Sequence, residues 1–216
     1  MRLTHFGHAA VLVETDDGAT ALIDPGTYSA GFESLCNLNL ILVTHAHPDH
    51  VDAERLAALR AANPEAILAS NAEGLAAAGA APGPEANPRD RLVSDGTPFE
   101  AAGVRIQPTP SAHAPIHPSL PSLANTGFLL EERVWHPGDA FDAKPPVVDI
   151  LLLPVGGPWM KLSEAIEFAR VVEPRIVVPI HQAGLADIHR QLHYQLIRNL
   201  VPAELVVLPE GTPQDV

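Results

Sequence analysis

Cysteine is nearly missing from this chain. Cys36 stands alone, which excludes an intramolecular disulfide and any multi-cysteine metal cluster. Lysine is almost as scarce, with Lys144 and Lys161 the only two. Lys and Arg together number 13 against 26 Asp and Glu, for a formal net charge of −13. Phosphate backbones and anionic membranes are held by clustered cations that release counterions. The few bases here are scattered and form no stripe, so neither nucleic acid nor a membrane is an expected partner. No run approaches the roughly 20 apolar residues that cross a bilayer. Residues 1–13 lack the charged-then-apolar pattern of a signal peptide. The expected setting is the reducing cytoplasm.

What the chain does have is apolar substance and histidine. With 216 residues and 46% hydrophobic content it can bury a layered core. No linker, low-complexity tail or internal sequence repeat divides it, so a single domain over residues 1–216 is expected. Short β-type runs recur at 9–14, 19–23, 39–44, 103–107, 127–131, 149–153, 175–180 and 204–208. Some alternate as half-buried strands do, and others are continuously apolar, as strands covered on both faces are. Helical patterns lie between them. Residues 52–62 are rich in Ala and Leu and stop at Asn63-Pro64. Ser163 is placed to cap a helix with Glu164 in its first turn, where Leu162, Ile166 and Ala169 share a face. Over 186–200, Ile188, Leu192, Leu196 and Leu200 make an apolar stripe. Two sheets packed face to face with helices outside account for this order. Segments 80–90 and 108–121 are expected as surface loops, the prolines of the second denying it a central-strand role.

The positions of the 11 histidines carry the functional argument. Residues 38–50 are LNLILVTHAHPDH: an apolar strand ends at Thr44, and three histidines and an aspartate follow within six positions. A strand end opening into a loop lets side chains converge while the strand holds their root. His45 and His47 are two apart, so an extended backbone sends both to one side. Pro48 stiffens the turn, and Asp49 with His50 can address a second point nearby. Imidazole and carboxylate suit zinc and other first-row divalent ions without any thiolate.

This His-x-His-x-Asp-His string after a buried strand resembles the hallmark of the metallo-β-lactamase superfamily, and the likeness covers nearly the whole chain. Asp24, in ALIDPG, matches the first motif. His113, in PSAHAP, matches the lone histidine of the third, with His117 in the same proline-rich stretch as its rival. Asp139, in WHPGDA, matches the bridging aspartate, and His181, in VVPIHQ, the last histidine. GHAAVLVE, HPGD, LLLPVGGPWM and VVPIH look most like the branch that includes ascorbate-6-phosphate lactonase and many bacterial hydrolases. There the usual text is closer to HAGDT than to the HPGDA found here.

The resemblance implies an α/β fold, a four-layer αβ/βα sandwich of two packed mixed sheets with helices outside. It implies His45, His47 and His113 around one metal ion, and Asp49, His50 and His181 around another, with Asp139 between them. The ions would be two divalent cations, zinc first, with manganese or iron as alternatives. A bridging hydroxide would be the nucleophile, and Asp49 and Asp139 would serve catalysis. Two divalent ions, two carboxylates and a hydroxide leave a small positive charge, which favours an anionic small-molecule substrate. The implied activity is hydrolysis of an ester, lactone, phosphoester or amide. A metal-dependent nuclease of the same superfamily is the alternative, opposed by the acidic charge and the missing basic patch. A di-iron oxidoreductase would usually replace a first-motif histidine with Glu and add a flavin domain, and neither is present. A homo-oligomer is compatible with all of this.

Around that set, Asp24 is expected to anchor a ligand histidine through its free N–H. His136 is expected as a polar wall or outer support. His8, between two early strands, is expected to face the site, and His117 to contact substrate if it is not the ligand. Tyr28, Trp159 and Met160 are expected at the rim. His5 has no such context, and His189 and His193 lie on a helix where exposure to solvent is expected.

Overall fold

The computed structural model of the chain describes residues 1–80, 87–142 and 147–216. Residues 81–86, the middle of the expected 80–90 loop, and Lys144 lie outside the described residues.

Among the described residues, two seven-stranded sheets account for all the strands. The first holds β1 (Arg2–His5), β2 (Val11–Glu14), β3 (Thr20–Ile23), β4 (Leu40–Val43), β5 (Ile67–Ser70) and β6 (Asp90–Leu92). The second holds β7 (Phe99–Ala101), β8 (Val104–Ala112), β9 (Ala124–Leu130), β10 (Val134–His136), β11 (Ile150–Pro154), β12 (Ile176–Ile180) and β13 (Glu204–Leu205). A last strand, β14 (Gln214–Asp215), returns to the first sheet, whose order is β14-β1-β2-β3-β4-β5-β6; the second runs β13-β12-β11-β10-β9-β8-β7. Both sheets have one pattern. Four strands pair antiparallel, β14 to β3 and β7 to β10, and the pairing then turns parallel out to β6 and β13.

Side-chain alternation builds the layers. Every residue of β4 and β11 is buried, as expected of parallel strands covered on both faces. Leu40 and Leu42 point between the sheets, where they join Ile150 and Leu152 in one core. Ile41 and Val43 point outward to Leu56 and Leu59 of α1 (Ala53–Ala62). Leu151 and Leu153 point outward to Ala165 and Phe168 of α3 (Leu162–Val172), beside Tyr194 and Ile197 of α4 (Asp187–Leu200). The short α2 (Ala72–Ala77) packs on β5. Two mixed sheets packed face to face with helices outside is therefore the architecture, and it matches the metallo-β-lactamase fold expected from the motifs. No described helix is long and apolar enough to cross a membrane.

Three local expectations are corrected. Residues 108–112 are strand, not loop: β8 continues through Pro108 and Pro110, opposite Phe128 and Thr126 of β9. β7 covers only Val104 to Ile106, so beyond that point β8 is an edge, where a missing N–H costs no ladder bond. Lys161, not Ser163, begins α3, and the Glu164 carboxylate accepts the Lys161 N–H at 2.7 Å. Of the stripe on α4 only Leu196 packs against the core, half-buried beside the outer cluster. Ile188, Leu192 and Leu200 are exposed, while Tyr194 and Ile197 are buried. Residues four apart drift about 40° per step around a helix, so a stripe of four such residues cannot stay on one face.

Candidate metal centre

The site is assembled at the ends of strands from both sheets. β4 ends at Val43, and the chain runs on through the buried pair Thr44 and His45 into His47, Asp49 and His50. β8 ends one residue before His113, β10 three before Asp139, and β12 one before His181. Two glycines permit the approach. A Cβ on Gly26 would lie 1.9 Å from the Asp49 carbonyl oxygen, and one on Gly138 would lie 2.1 Å from Asn125 Oδ1. Both turns therefore need a bare backbone.

The ligand-type atoms fall into groups. His45, His47 and His113 offer atoms within 4.8 Å of one another; so do His8, Asp49, His50 and His181; and His45, His50 and Asp139 make a third set linking the two. Asp139 is central. Its Oδ1 lies 3.2 Å from His50 Nε2, and its Oδ2 lies 3.1 Å from His181 Nε2 and 3.4 Å from His113 Nε2. Thus the structure brings His45, His47, Asp49, His50, His113, Asp139 and His181 to one place.

Each ring is aimed by its other nitrogen. His50 Nδ1–H donates to Asp24 Oδ2 at 2.7 Å, His113 Nδ1–H to the Ala114 carbonyl at 2.5 Å, and His181 Nδ1–H to the Gly156 carbonyl. That leaves Nε2 of His50, His113 and His181, with Asp139 Oδ1, buried and without hydrogen-bond partners. Buried polar atoms without partners are costly, and four of them converging on one spot fit a divalent ion. His45 Nδ1 sits 3.0 Å from Thr44 Oγ1, so the nitrogen free to act is Nε2, which lies 3.1 Å from His47 Nδ1. Two imidazole nitrogens at that spacing suit adjacent ligands on one metal. The residues present therefore fit the metal ions that the motifs imply.

Protonation differs across the site. Burial lowers the pKa of His45, helped by His50, and burial also lowers that of His47, helped by His113. Burial would lower His50 too, but the Asp139 and Asp24 carboxylates outweigh it and hold His50 well above the usual histidine value. Burial would raise Asp49 and Asp139. The His8 hydrogen bond and the His50 charge outweigh it for Asp49, and the His50 and His181 charges outweigh it for Asp139, so both fall below the usual carboxylate range.

The surrounding residues divide. Asp24 is fully buried, and its carboxylate accepts from the Thr44 N–H, the Thr44 hydroxyl and His50, each at 2.7 Å. His8 faces the site: its Nε2 is 3.0 Å from Asp49 Oδ2, and its ring packs 3.9 Å from that of His181, centroid to centroid. His136 stays out of contact with the central space. Its ring nitrogens meet the Ala9 carbonyl and the Gly138 N–H, each at 3.1 Å, and so brace the Asp139 turn. His117 is exposed and accepts the Ser119 N–H; it is His113 that joins His45 and His47. Tyr28 is exposed and meets His8 edge-on, and Trp159 lies 5.9 Å from both His113 and His181. Met160 corrects its expectation, packing with the outer cluster around α3. So does His193, which is half-buried against the Val155 carbonyl at 2.8 Å, whereas His189 is exposed. Asn125 was not legible beforehand. Its side chain donates to the Pro137 carbonyl and accepts the Asp139 N–H, and a single Asn in a strand carries no sequence signal for that role.

Comparison with known proteins agrees with this geometry. Residues 2–181 match the model of the beta-lactamase superfamily domain. The chain is 39% identical over 216 residues to Protein Rv0786c of Mycobacterium tuberculosis, covering 97% of each chain. It is 29% identical over 206 residues to a UPF0173 metal-dependent hydrolase of Pyrococcus abyssi, covering 84% of each. Among solved structures, Igni18, a metallo hydrolase of the archaeon Ignicoccus hospitalis, superposes with a TM-score of 0.74 at 24% identity. The match covers 100% of this chain and 98% of that one.

Proposed function

Because the chain belongs to the beta-lactamase superfamily and is a metal-dependent hydrolase, we propose that it works with two divalent ions to hydrolyse an ester, lactone, phosphoester or amide bond in a small molecule. His45, His47 and His113 hold one ion, Asp49, His50 and His181 the other, and Asp139 serves both. The observation that carries this reading is the convergence of the partnerless Nε2 atoms of His50, His113 and His181 with Asp139 Oδ1. Zinc is the first candidate, with manganese and iron next, since the donors are nitrogen and oxygen. When bound, such ions supply an acidified water and polarise the bond under attack. Their positive charge also supports an anionic group at the centre.

The chain's own residues do the rest. Asp24 fixes the His50 ring, and the Gly156 carbonyl fixes that of His181, so the Nε2 atoms face the centre, and that of His50 offers its lone pair once its proton has left. His8 holds Asp49 Oδ2 and so orients that carboxylate. The nuclease reading has less support, because the hollows beside the site, lined by Ile116 and Leu120 on one side and by Tyr28 and Leu185 on the other, include no described Lys or Arg. Plasma emission analysis after reconstitution tests the core of the proposal. Close to two ions per chain are expected, and no more than one would overturn the dinuclear assignment.

A further inference from the structure

A hollow of about 450 Å³ opens beside the metal centre, with His47 and His113 forming its inner wall. Its outer wall is the segment 114–123, which contributes Pro115, Ile116, Pro118, Leu120 and Leu123. Among the described residues, His117 and Ser122 are its only polar side chains besides the two inner histidines, and none that lines it is acidic, Lys or Arg. Its volume falls in the usual range for small-ligand sites. Ile116 is 40% exposed and Leu120 55% exposed. Exposed aliphatic side chains gathered at the mouth of a site mark a surface that an apolar group covers. The prolines hold the wall in shape in advance, which lowers the ordering cost of binding.

On the far side of the centre a second hollow of about 310 Å³ is bounded by His8, Tyr28, Asp49 and His181. It offers a carboxylate, Asp49, and a phenol, Tyr28, where the first hollow offers aliphatic side chains. A substrate lying across the centre would thus meet Ile116, Leu120 and Leu123 at one end and Tyr28 and Asp49 at the other. A phosphate or carboxylate carried at either end would find no described cation outside the centre itself.

We propose that the hollow walled by residues 114–123 seats an aliphatic acyl chain, so that the substrate is a carboxylic ester or lactone with an apolar acyl part. This rests on the hydrolase reading above. Water oxygen bonds to the acyl carbon and the acyl–oxygen bond breaks. One water proton ends on the departing alcohol, and the new carboxylic acid ionises to solvent. The acyl chain takes the hollow at His47 and His113, and the alcohol takes the side of Tyr28 and Asp49.

The test uses the full chain reconstituted with zinc or manganese and p-nitrophenyl esters from acetate to octanoate, with mono-p-nitrophenyl adipate and bis-p-nitrophenyl phosphate beside them. The expected result is a kcat/KM rising about fourfold per methylene up to hexanoate, with the adipate ester at least ~10-fold below the hexanoate. Ile116→Ser and Leu120→Ser should flatten that slope, while Leu192→Ser, on the exposed face of α4, should keep it. Titration calorimetry of the metal-loaded protein should show hexanoate binding more tightly than acetate, with the margin reduced in Leu120→Ser. Ester hydrolysis with a flat or falling profile overturns the acyl assignment and leaves the hydrolase reading intact. So does cleavage of the phosphodiester alone. If nothing is hydrolysed, the hydrolase reading fails, and equal binding of hexanoate and acetate then overturns the apolar seat as well.

Discussion

The triplet His45, His47 and His113 and the group Asp49, His50 and His181 stand side by side, yet His45 and His47 of the first and His50 of the second hold protons in opposite ways. Burial keeps His45 and His47 neutral, and the triplet includes no carboxylate of its own. His50 is as fully buried as His45, but it lies between Asp24 and Asp139, and their charges hold a proton on it. The same side chain is thus a ready ligand in one place and a protonated partner in the other. What decides is the balance between the two: a pair of carboxylates outweighs burial at His50, whereas burial still prevails at His8, which meets Asp49 alone.

The largest effect should come from removing what the two groups share. Asp139→Asn takes away the charge that reaches histidines on both sides, and hydrolysis should fall at least ~100-fold with loss of metal from both positions. His189→Gln, on the exposed face of α4, should leave kcat/KM and metal content unchanged. Equal losses in both variants, measured by kinetics and plasma emission, would show that the grouping has no discriminating power.

Breaking one group alone should come next. His113→Ala should weaken metal binding at the triplet at least ~10–100-fold while the Asp49 group keeps its ion, and His117→Ala should leave metal content intact. The comparison is lost if His117→Ala is the variant that empties the triplet in a metal titration.

A smaller change separates the groups from outside. Asp24→Asn keeps a residue type that tolerates the left-handed backbone there, φ 50°, but removes the charge behind His50. Metal affinity should fall about 10-fold in the Asp49 group alone. The residual proton on His50 should become easier to lose, since one of its two carboxylates is gone.

The finest test is pH. His50, with a raised pKa, carries a proton near neutrality, so metal uptake there must displace it. Occupancy of that group should therefore fall as pH drops through neutrality. His45 and His47, with lowered pKa values, are already neutral, and the triplet should stay filled to lower pH. Calorimetry in buffers of different ionisation enthalpy should find more proton release on filling the Asp49 group than on filling the triplet. Equal release from both would remove the distinction.

How far these features could be read in advance depends on how local they are. The run HAHPDH after a continuously apolar strand was legible because strand and ligand-type residues adjoin in the chain. The sheets were legible from the apolar runs, and the superfamily from the spaced motifs. Pro108 and Pro110 misled because the end of β7, which makes that part of β8 an edge, is a tertiary fact. The stripe on α4 misled because four-residue spacing imitates a face without keeping to one. Ser163 misled because Glu164 works from a cap two residues earlier. Asn125 and the Gly156 carbonyl act through shape alone, and nothing in composition separates them from their neighbours.

The strand β14 carries a consequence for synthesis. Arg2 pairs with Asp215 and Leu3 with Gln214, so β1, made before every other described strand, waits for β14, made after them all. Contacts so distant in sequence slow folding, because a long loop must close before they contribute. Until then β1 presents an open edge, which invites pairing with another chain. A translating ribosome would hold the first sheet unfinished while the second already has all of its strands. The nascent protein therefore spends its most aggregation-prone interval with its metal-binding loop made and its outermost strand still to come.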